Sequence, residues 1–385
     1  MEKVWKSIRG YCNKTDWVVW GCVLTLTALG MLLFIGILQT DYTGSNLLNV
    51  SARGLQTQII SALLGILIAL GLSLINHNTL ASLWKYYLPL IYLVFLATFF
   101  LGVATADRPE ARRWLIVPIV RMSLQPSEFL KLAFILAFAW HIQSVLKTIH
   151  KPLTMLALCA HGFIPIALIQ MQGDSGTALL LGLIFLSMLF MVVNWKYIIL
   201  APFAFTALAW ALWNFILSSH QKARIVAIFV SGNTSGILFQ QDQARRAFAG
   251  GGLFGNGIVS PYHTYVPEMH NDFVFAFLGN ALGFAGCVFV MALFVALCAK
   301  ILRNCALAKD TLGRLICVGV FAMVFFQAFF NIGMNLSILP VVGNSLPFVS
   351  NGGSSLLANF IGIGLVLSVY MHTAKKKKVE DYRPM

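Results

Sequence analysis

The chain has 385 residues, of which 59% are hydrophobic and only 10% are charged, and apolar runs long enough to cross a bilayer recur along it. This composition excludes a soluble domain and predicts an all-α polytopic membrane protein. The formal net charge of +14 is explained by lysines and arginines that hold loops on the cytoplasmic side, so we expect no nucleic-acid partner.

Ten transmembrane helices are predicted, in one domain over residues 1–385. The first follows a basic N-terminus and is too long for the core of a cleaved signal peptide, so we expect it to be retained. The predicted spans cover residues 17–38, 57–75, 86–104, 127–146, 153–171, 177–194, 197–217, 272–299, 315–336 and 355–373.

The basic residues orient these spans. An even number of spans puts both termini on one side of the membrane. Seventeen lysines and arginines lie on that side and nine on the other. Because positive charge accumulates in cytoplasmic loops, we predict that both termini are cytoplasmic.

Two outer loops contain most of the remaining basic residues. They cover residues 105–126 and 218–271, and the second is too long for a simple connection. Their charge either binds an anionic ligand or is solvated loop charge. Within the long loop, residues 240–246 are predicted to form a short helix at the membrane surface.

Span four carries a carboxylate and an amine close to hydrocarbon. Glu128 and Lys131 are three residues apart and therefore share a helix face. Such groups are costly in a membrane unless they are paired or face a cavity. They form either a structural ion pair or a polar wall of a substrate cavity, and the two interpretations are compatible.

Polar residues also cluster at three other outer positions. Arg113 precedes a tryptophan, a pair that suits a phosphate head group at the interface. Asp174 lies in a short turn, where it either caps span six or faces a ligand. Ser354 begins span ten after two glycines, where it either caps the helix or helps to offer amides to an anion.

The densest polar segment is 268–272, at the outer end of span eight. It contains Glu268, His270 and Asp272 and follows a glycine-rich stretch, residues 250–257. A partly desolvated carboxylate at this place has a raised pKa and is suited to accept a proton. The alternative is that Asp272 caps span eight.

Taken together and in this order, these segments resemble the SEDS family of membrane glycosyltransferases, which contains RodA, FtsW and SpoVE. Any one segment is weak, but six in order over nearly the whole chain are specific. The resemblance rests on six segments, namely Arg113 with Trp114 and residues 125–131, 174–178, 250–257, 267–276 and 327–356, together with Arg224.

The resemblance implies a peptidoglycan glycosyltransferase that polymerises lipid II at the outer face of the bacterial cytoplasmic membrane. It implies that the substrates are lipid II and a glycan linked to undecaprenyl diphosphate, and that the partner is a class B penicillin-binding protein. It makes Asp272 the catalytic base. It places Glu128, Lys131 and Arg113 on matching family positions, with Glu268 and His270 as positioning or substrate-binding residues.

The chain departs from the family pattern after Asp272. Residues 279–283 replace a segment that usually carries two glutamates, and Asn271 replaces a threonine. The changed segment brings partner coupling or the positioning of that helix into question. The single-domain length and a Trp-Lys pair after span six favour the RodA branch, which serves cell elongation and shape.

The expected chemistry joins a sugar hydroxyl to a lipid diphosphate sugar. Asp272 would take the hydroxyl proton, and the candidates to stabilise the diphosphate are Arg113, Arg224, Lys131 and Arg245 or a divalent cation, magnesium or manganese. The alternative functions are a lipid II flippase, an FtsW-like division polymerase and a non-catalytic scaffold. The outward bias of the acidic residues favours surface chemistry over transport.

Overall fold

A computed structural model gives the architecture of most of the chain. It describes residues 10–40, 52–103, 112–117, 122–193, 210, 213–214, 222–223, 225–226 and 238–380. The predicted span 197–217 and the first part of the long outer loop fall almost wholly outside these residues. Arg224 also lies outside them.

The described residues form eleven α-helices and one small hairpin. The helices are α1 (Trp17–Leu38), α2 (Ala52–Leu74), α3 (His77–Ser82), α4 (Trp84–Leu101), α5 (Pro126–Val145), α6 (Pro152–Met171), α7 (Ser175–Phe190), α8 (Phe239–Gly251), α9 (Val274–Leu307), α10 (Thr311–Asn335) and α11 (Gly353–Glu380). A 3-10 turn, Leu146–Thr148, follows α5. Strands β1 (Leu115–Val117) and β2 (Met122–Leu124) pair antiparallel, with Leu115 opposite Leu124.

Nine of the ten predicted spans coincide with these helices. Eight helices are long and apolar enough to cross a membrane, and α7 is a shorter apolar helix. The all-α, multi-pass prediction is therefore confirmed. The hairpin was not predicted, because its strands are three residues each and lie in a charged loop without clear alternation.

Helix α11 lies at the centre of the bundle and α4 at its edge. In α11, 83% of the most apolar segment is buried within the protein, whereas in α4 the buried fraction is 11%. Helix α11 packs on α2, α5 and α10. It approaches α2 so closely that a Cβ atom built at Gly364 would lie 2.8 Å from Cα of Ala69.

The inner ends of the helices are joined by two polar clusters. Asp16 caps α1 and lies 3.1 Å from Nζ of Lys300 on α9. Asp310, in the turn before α10, lies 2.9 Å from Nε2 of His77 in α3. These contacts connect loops that are far apart in sequence on the side predicted to be cytoplasmic.

Helix α9 departs from the single continuous span predicted at 272–299. It runs from Val274 to Leu307 but is broken at Gly283, whose φ of 66° and ψ of −167° are not helical. Its outer part, residues 274–282, is almost entirely buried, whereas Phe284 and Val295 beyond the break are exposed. The predicted helix at 240–246 is confirmed as the first half of α8, which packs on α9, and its place at the membrane surface stays a prediction.

Candidate active site

Asp272 belongs to a tight turn directly before α9. The turn covers residues 267–273 and is half-buried. Glu268 adopts a φ of 57°, in the left-handed region. Its carbonyl accepts hydrogen bonds from the amides of Asn271, at 3.0 Å, and Phe273, at 3.1 Å. A left-handed residue other than glycine is uncommon and persists where its surroundings impose it.

Two asparagines of α10 hold this turn from below. Nδ2 of Asn331 and Nδ2 of Asn335 each donate to the Asp272 carbonyl at 2.9 Å. Oδ1 of Asn335 accepts from the amide of Ala276, also at 2.9 Å. Both asparagines are fully buried. A side chain from a neighbouring helix therefore supports both the Asp272 turn and the first turn of α9.

The N-cap position of α9 is occupied by Phe273, which makes no side-chain cap, and Asp272 precedes it by one residue. The Ala276 amide donates both to Oδ1 of Asn335 and to the Phe273 carbonyl. A capping role of Asp272 stays a prediction. Both asparagines lie in the last two turns of α10. Their four-residue spacing within an apolar span was the signal for a shared face.

The connection from α10 to α11 covers the turn from the other side. Ser350 Oγ donates to the Asn271 carbonyl at 2.7 Å, and the amide of Asn351 donates to the His270 carbonyl at 2.9 Å. A Cβ atom built at Gly343 would lie 3.5 Å from Oδ2 of Asp272. The backbone at Gly343 thus lies beside the carboxylate.

Glu268 and His270 lie in the same turn as Asp272. Nδ2 of Asn271 donates to Glu268 Oε2 at 2.9 Å and lies 3.1 Å from Nε2 of His270. Burial lowers the pKa of His270, while the nearby Glu268 carboxylate opposes that shift. The buried Nδ1 of His270 has no hydrogen-bond partner among the described residues. The His270 imidazole is therefore part of the polar turn that carries Asp272.

A second polar cluster lies at the outer end of α7. Asp174 is the N-cap of this helix and accepts from the Thr177 amide at 3.3 Å, which confirms the capping interpretation. Its carboxylate also accepts from Gln125 Nε2 at 3.0 Å and lies 3.5 Å from Nη1 of Arg113. Arg113 donates a second hydrogen bond to the Gly173 carbonyl. Asp174 therefore both caps α7 and orients Arg113.

Residues 342–344 connect the two clusters. A Cβ atom built at Gly176, in the first turn of α7, would lie 2.4 Å from the Val342 carbonyl oxygen and 3.0 Å from Oδ1 of Asn344. Gly343 lies against Asp272 in turn. The backbone of residues 342–344 thus lies between the start of α7 and the turn that carries Asp272. The buried Nδ2 of Asn344 has no partner among the described residues.

Ser354 connects α11 to the hairpin loop. Its hydroxyl accepts from the Gln125 amide at 3.0 Å and donates to the Ser123 carbonyl at 3.2 Å. Ser354 is buried, and both of these hydrogen bonds are to the protein backbone. The side chain stabilises the start of α5, and its predicted role in anion binding stays a prediction.

Glu128 and Lys131 form a buried ion pair near the outer end of α5. Lys131 Nζ lies 2.9 Å from Glu128 Oε1, and the lysine is fully buried. Oε2 of Glu128 has no partner among the described residues. The pairing supports the structural interpretation, and the unpaired oxygen leaves the cavity interpretation equally open.

The described residues do not by themselves form a metal site. No three of their His, Cys, Asp and Glu side chains gather closely enough to hold an ion. Mg²⁺ is commonly held by one or two carboxylates together with substrate phosphates, and Asp272 can supply one carboxylate.

The sequence matches a known family and proteins of known name. The family model for FtsW, RodA and SpoVE, described as cell cycle protein, matches residues 16–375. MrdB of Escherichia coli K12, a peptidoglycan glycosyltransferase, is 34% identical over 294 residues, which are 75% of this chain and 78% of MrdB. A probable peptidoglycan glycosyltransferase FtsW from Trichlorobacter lovleyi is 29% identical over 368 residues, 92% of each chain.

Solved structures share the fold. A chain from a peptidoglycan synthase complex, studied for how polymerization and crosslinking are coordinated, superposes with a TM-score of 0.75 at 25% identity. The match covers 93% of this chain and 98% of the other. The rod shape determining protein RodA of Thermus thermophilus superposes with a TM-score of 0.66 at 24% identity, over 96% and 98% of the two chains.

Proposed function

This chain belongs to the FtsW, RodA and SpoVE family of cell cycle proteins, and on that premise we propose that it is a peptidoglycan glycosyltransferase. It polymerises lipid II at the outer face of the bacterial cytoplasmic membrane. The observation that carries the proposal is the turn around Asp272 at the outer end of α9. Side chains of α10 and of the α10–α11 connection hold this turn in place.

Asp272 is the general base in this proposal. The hydroxyl oxygen of one lipid-linked sugar attacks the anomeric carbon of the other, and the hydroxyl proton passes to the carboxylate. The bond from the anomeric carbon to the phosphate oxygen breaks, and the undecaprenyl diphosphate leaves with the bonding electrons. A positioned base of this kind typically contributes about 10²- to 10⁴-fold to the rate.

The neighbouring polar residues bind substrate. Arg113, oriented by Asp174, offers a planar set of donors that matches phosphate oxygens. Asp174 and Ser354 keep the start of α7 and of α5 in place. Glu268 and His270 contact the sugars from the Asp272 turn, and Glu128 with Lys131 forms the deeper polar wall. Arg224 and a magnesium or manganese ion are further proposed partners of the diphosphate.

Polymer synthesis by purified protein tests this assignment. The protein is incubated with lipid II, alone and with a class B penicillin-binding protein, and glycan strands are resolved on a gel. We expect Asp272→Asn to lower the initial rate about 10²- to 10⁴-fold. The matched control is Asp242→Asn, because Asp242 is an exposed carboxylate on the same outer face.

Each outcome is informative. Equal polymer from Asp272→Asn and the native chain would overturn the catalytic role. Movement of lipid II between leaflets, without polymer, would favour the flippase. Neither polymer synthesis nor lipid II movement, with retained binding of the penicillin-binding protein, would favour the scaffold.

We also propose that the polymer serves elongation and that a crosslinking penicillin-binding protein is the partner. Rescue of rod shape in cells depleted of their elongation polymerase would support this assignment. Rescue of septation alone would assign the chain to division. Copurification with the elongation or the division penicillin-binding protein gives an independent readout.

A further inference from the structure

The break in α9 is closed by another part of the chain. At Gly283 the helix loses two of its own hydrogen bonds, and the glycine-rich segment 252–257 replaces them. The carbonyls of Asn280 and Ala281 accept from the amides of Asn256, at 3.0 Å, and Gly257, at 2.9 Å. The freed amides of residues 284 and 285 donate to the carbonyls of residues 252 and 253 at 2.9 and 3.0 Å.

The two segments touch through their backbones. A Cβ atom built at Gly255 would lie 2.3 Å from the Ala281 carbonyl oxygen, and one built at Gly283 would lie 2.4 Å from the Gly255 amide nitrogen. Both glycines also have positive φ angles. Only glycine permits this approach, so the glycine segment and the broken helix are joined directly through their backbones.

Asn280 is the polar side chain at this junction. It is 1% exposed, its Nδ2 donates to the Ala247 carbonyl of α8 at 2.7 Å, and its Oδ1 lies 2.7 Å from Nδ1 of His263. Because Nδ2 is committed to a carbonyl, Oδ1 is the acceptor and His263 donates from Nδ1. The imidazole is 3% exposed and packs against the Phe277 ring, at a centroid distance of 4.7 Å and an interplanar angle of 55°.

We propose that Asn280 and His263 form a clasp that positions Asp272. The clasp ties residues 274–282, the outer part of α9, to α8 on one side and to the segment before the Asp272 turn on the other. Because residues 274–282 are buried and detached from the rest of α9 by the break, these contacts set their rotation and height. Asp272 lies two residues before this piece and moves with it.

Asn280 and His263 are positioning residues in this proposal, which rests on the proposed role of Asp272 as the base. The clasp also explains how the helix is positioned where residues 279–283 lack the two glutamates. A displacement of about 1 Å in a reacting group lowers rates by up to about 10²-fold, so a loosened clasp reduces turnover without removing any substrate contact.

Two pairs of variants separate positioning from simple stability. His263→Leu removes the donor to Asn280, whereas His263→Asn retains an amide donor near the place of Nδ1. Asn280→Leu removes both contacts, and Asn280→Asp keeps the acceptor while it removes the donor to Ala247. The matched control is Gln241→Leu, which removes two hydrogen bonds from α8 to the carbonyls of Met334 and Leu339, outside α9.

The readouts are steady-state polymerisation against lipid II concentration and hydrogen–deuterium exchange of peptides from residues 272–285. We expect His263→Leu and Asn280→Leu to lower kcat about 10- to 100-fold, with KM changed less than about twofold, and to speed exchange in this segment. His263→Asn should recover most of the native kcat and exchange. Gln241→Leu should leave both close to native.

Faster exchange with native kcat in His263→Leu would overturn the positioning role, and so would native exchange in both leucine variants. An equal loss of kcat in Gln241→Leu would reduce the clasp to general stability. Failure of the proposed function is distinguishable, because Asp272→Asn would then match the native chain in polymer synthesis. If the leucine variants do not fold, hydrogen–deuterium exchange of residues 272–285 is compared in Asn280→Asp and His263→Asn. Faster exchange in Asn280→Asp than in His263→Asn supports the clasp, and native exchange in both overturns it.

Discussion

Substitution of Asn335 by leucine tests the support of the Asp272 turn. The Asn335 side chain donates one hydrogen bond from Nδ2 to the Asp272 carbonyl, and its Oδ1 accepts one from the backbone amide of Ala276. In Asn335→Leu the Asp272 carbonyl keeps its bond from Asn331, and the Ala276 amide keeps its bond to the Phe273 carbonyl at 3.1 Å, but both bonds to Asn335 are lost. A hydrogen bond contributes about 0.5–1.5 kcal/mol, so the two lost bonds cost about 1–3 kcal/mol.

The cost is local, so it should appear mainly in catalysis. If the turn relaxes to recover that energy, the fraction of protein with Asp272 in its productive position falls by the corresponding Boltzmann factor. Since about 1.4 kcal/mol corresponds to a factor of ten, we expect kcat to fall about 5- to 100-fold. The assay is the initial rate of glycan polymerisation at saturating lipid II, together with the midpoint of thermal unfolding in detergent.

The matched control is the same change at the inner end of α9. Asn304 is also buried, and its Nδ2 donates to Asp16 Oδ2 at 3.3 Å. Asn304→Leu should lower the thermal midpoint and leave kcat near the native value, because Asn304 lies far from the outer turn. Native kcat in Asn335→Leu, or an equal loss in Asn304→Leu, would refute the reasoning.

Three further predictions concern other polar contacts. Glu128→Gln and Lys131→Met should each destabilise the protein by about 3–5 kcal/mol, and the double variant should recover much of that loss. A stable double variant without polymerase activity would identify the pair as part of the substrate cavity. Asp174→Ser should keep the cap of α7 but release its arginine, so that KM for lipid II rises while the thermal midpoint changes little. The hydrogen bond from His77 lowers the pKa of Asp310. A carboxylate with a lowered folded-state pKa stabilises the protein at pH values above its ordinary, unfolded-state pKa. This contribution is lost as the pH falls through the folded-state pKa. Acid unfolding of Asp310→Asn should therefore lack this pH dependence below about pH 4, and an unchanged profile would contradict the assignment.

Local properties of the sequence were enough to predict the membrane helices and the segment that carries the proposed base. Length and apolarity are properties of each segment by itself, so nine spans could be placed. The cap at Asp174 and the short helix around residues 240–246 also depend on neighbouring residues alone. The resemblance added the choice of Asp272 within the segment 268–272.

The tertiary structure decided which groups support that segment. Asn331 and Asn335 reach the Asp272 carbonyl from about 60 residues away in sequence, and His263 meets Asn280 across the turn between them. The break at Gly283 is stable only because residues 252–257 supply the missing hydrogen bonds. Hydrogen bonds between distant segments depend on how whole helices pack, and a buried backbone group must find a partner wherever packing provides one. For this reason the sequence could locate Asp272, but only the packed bundle could show what supports the turn that carries it.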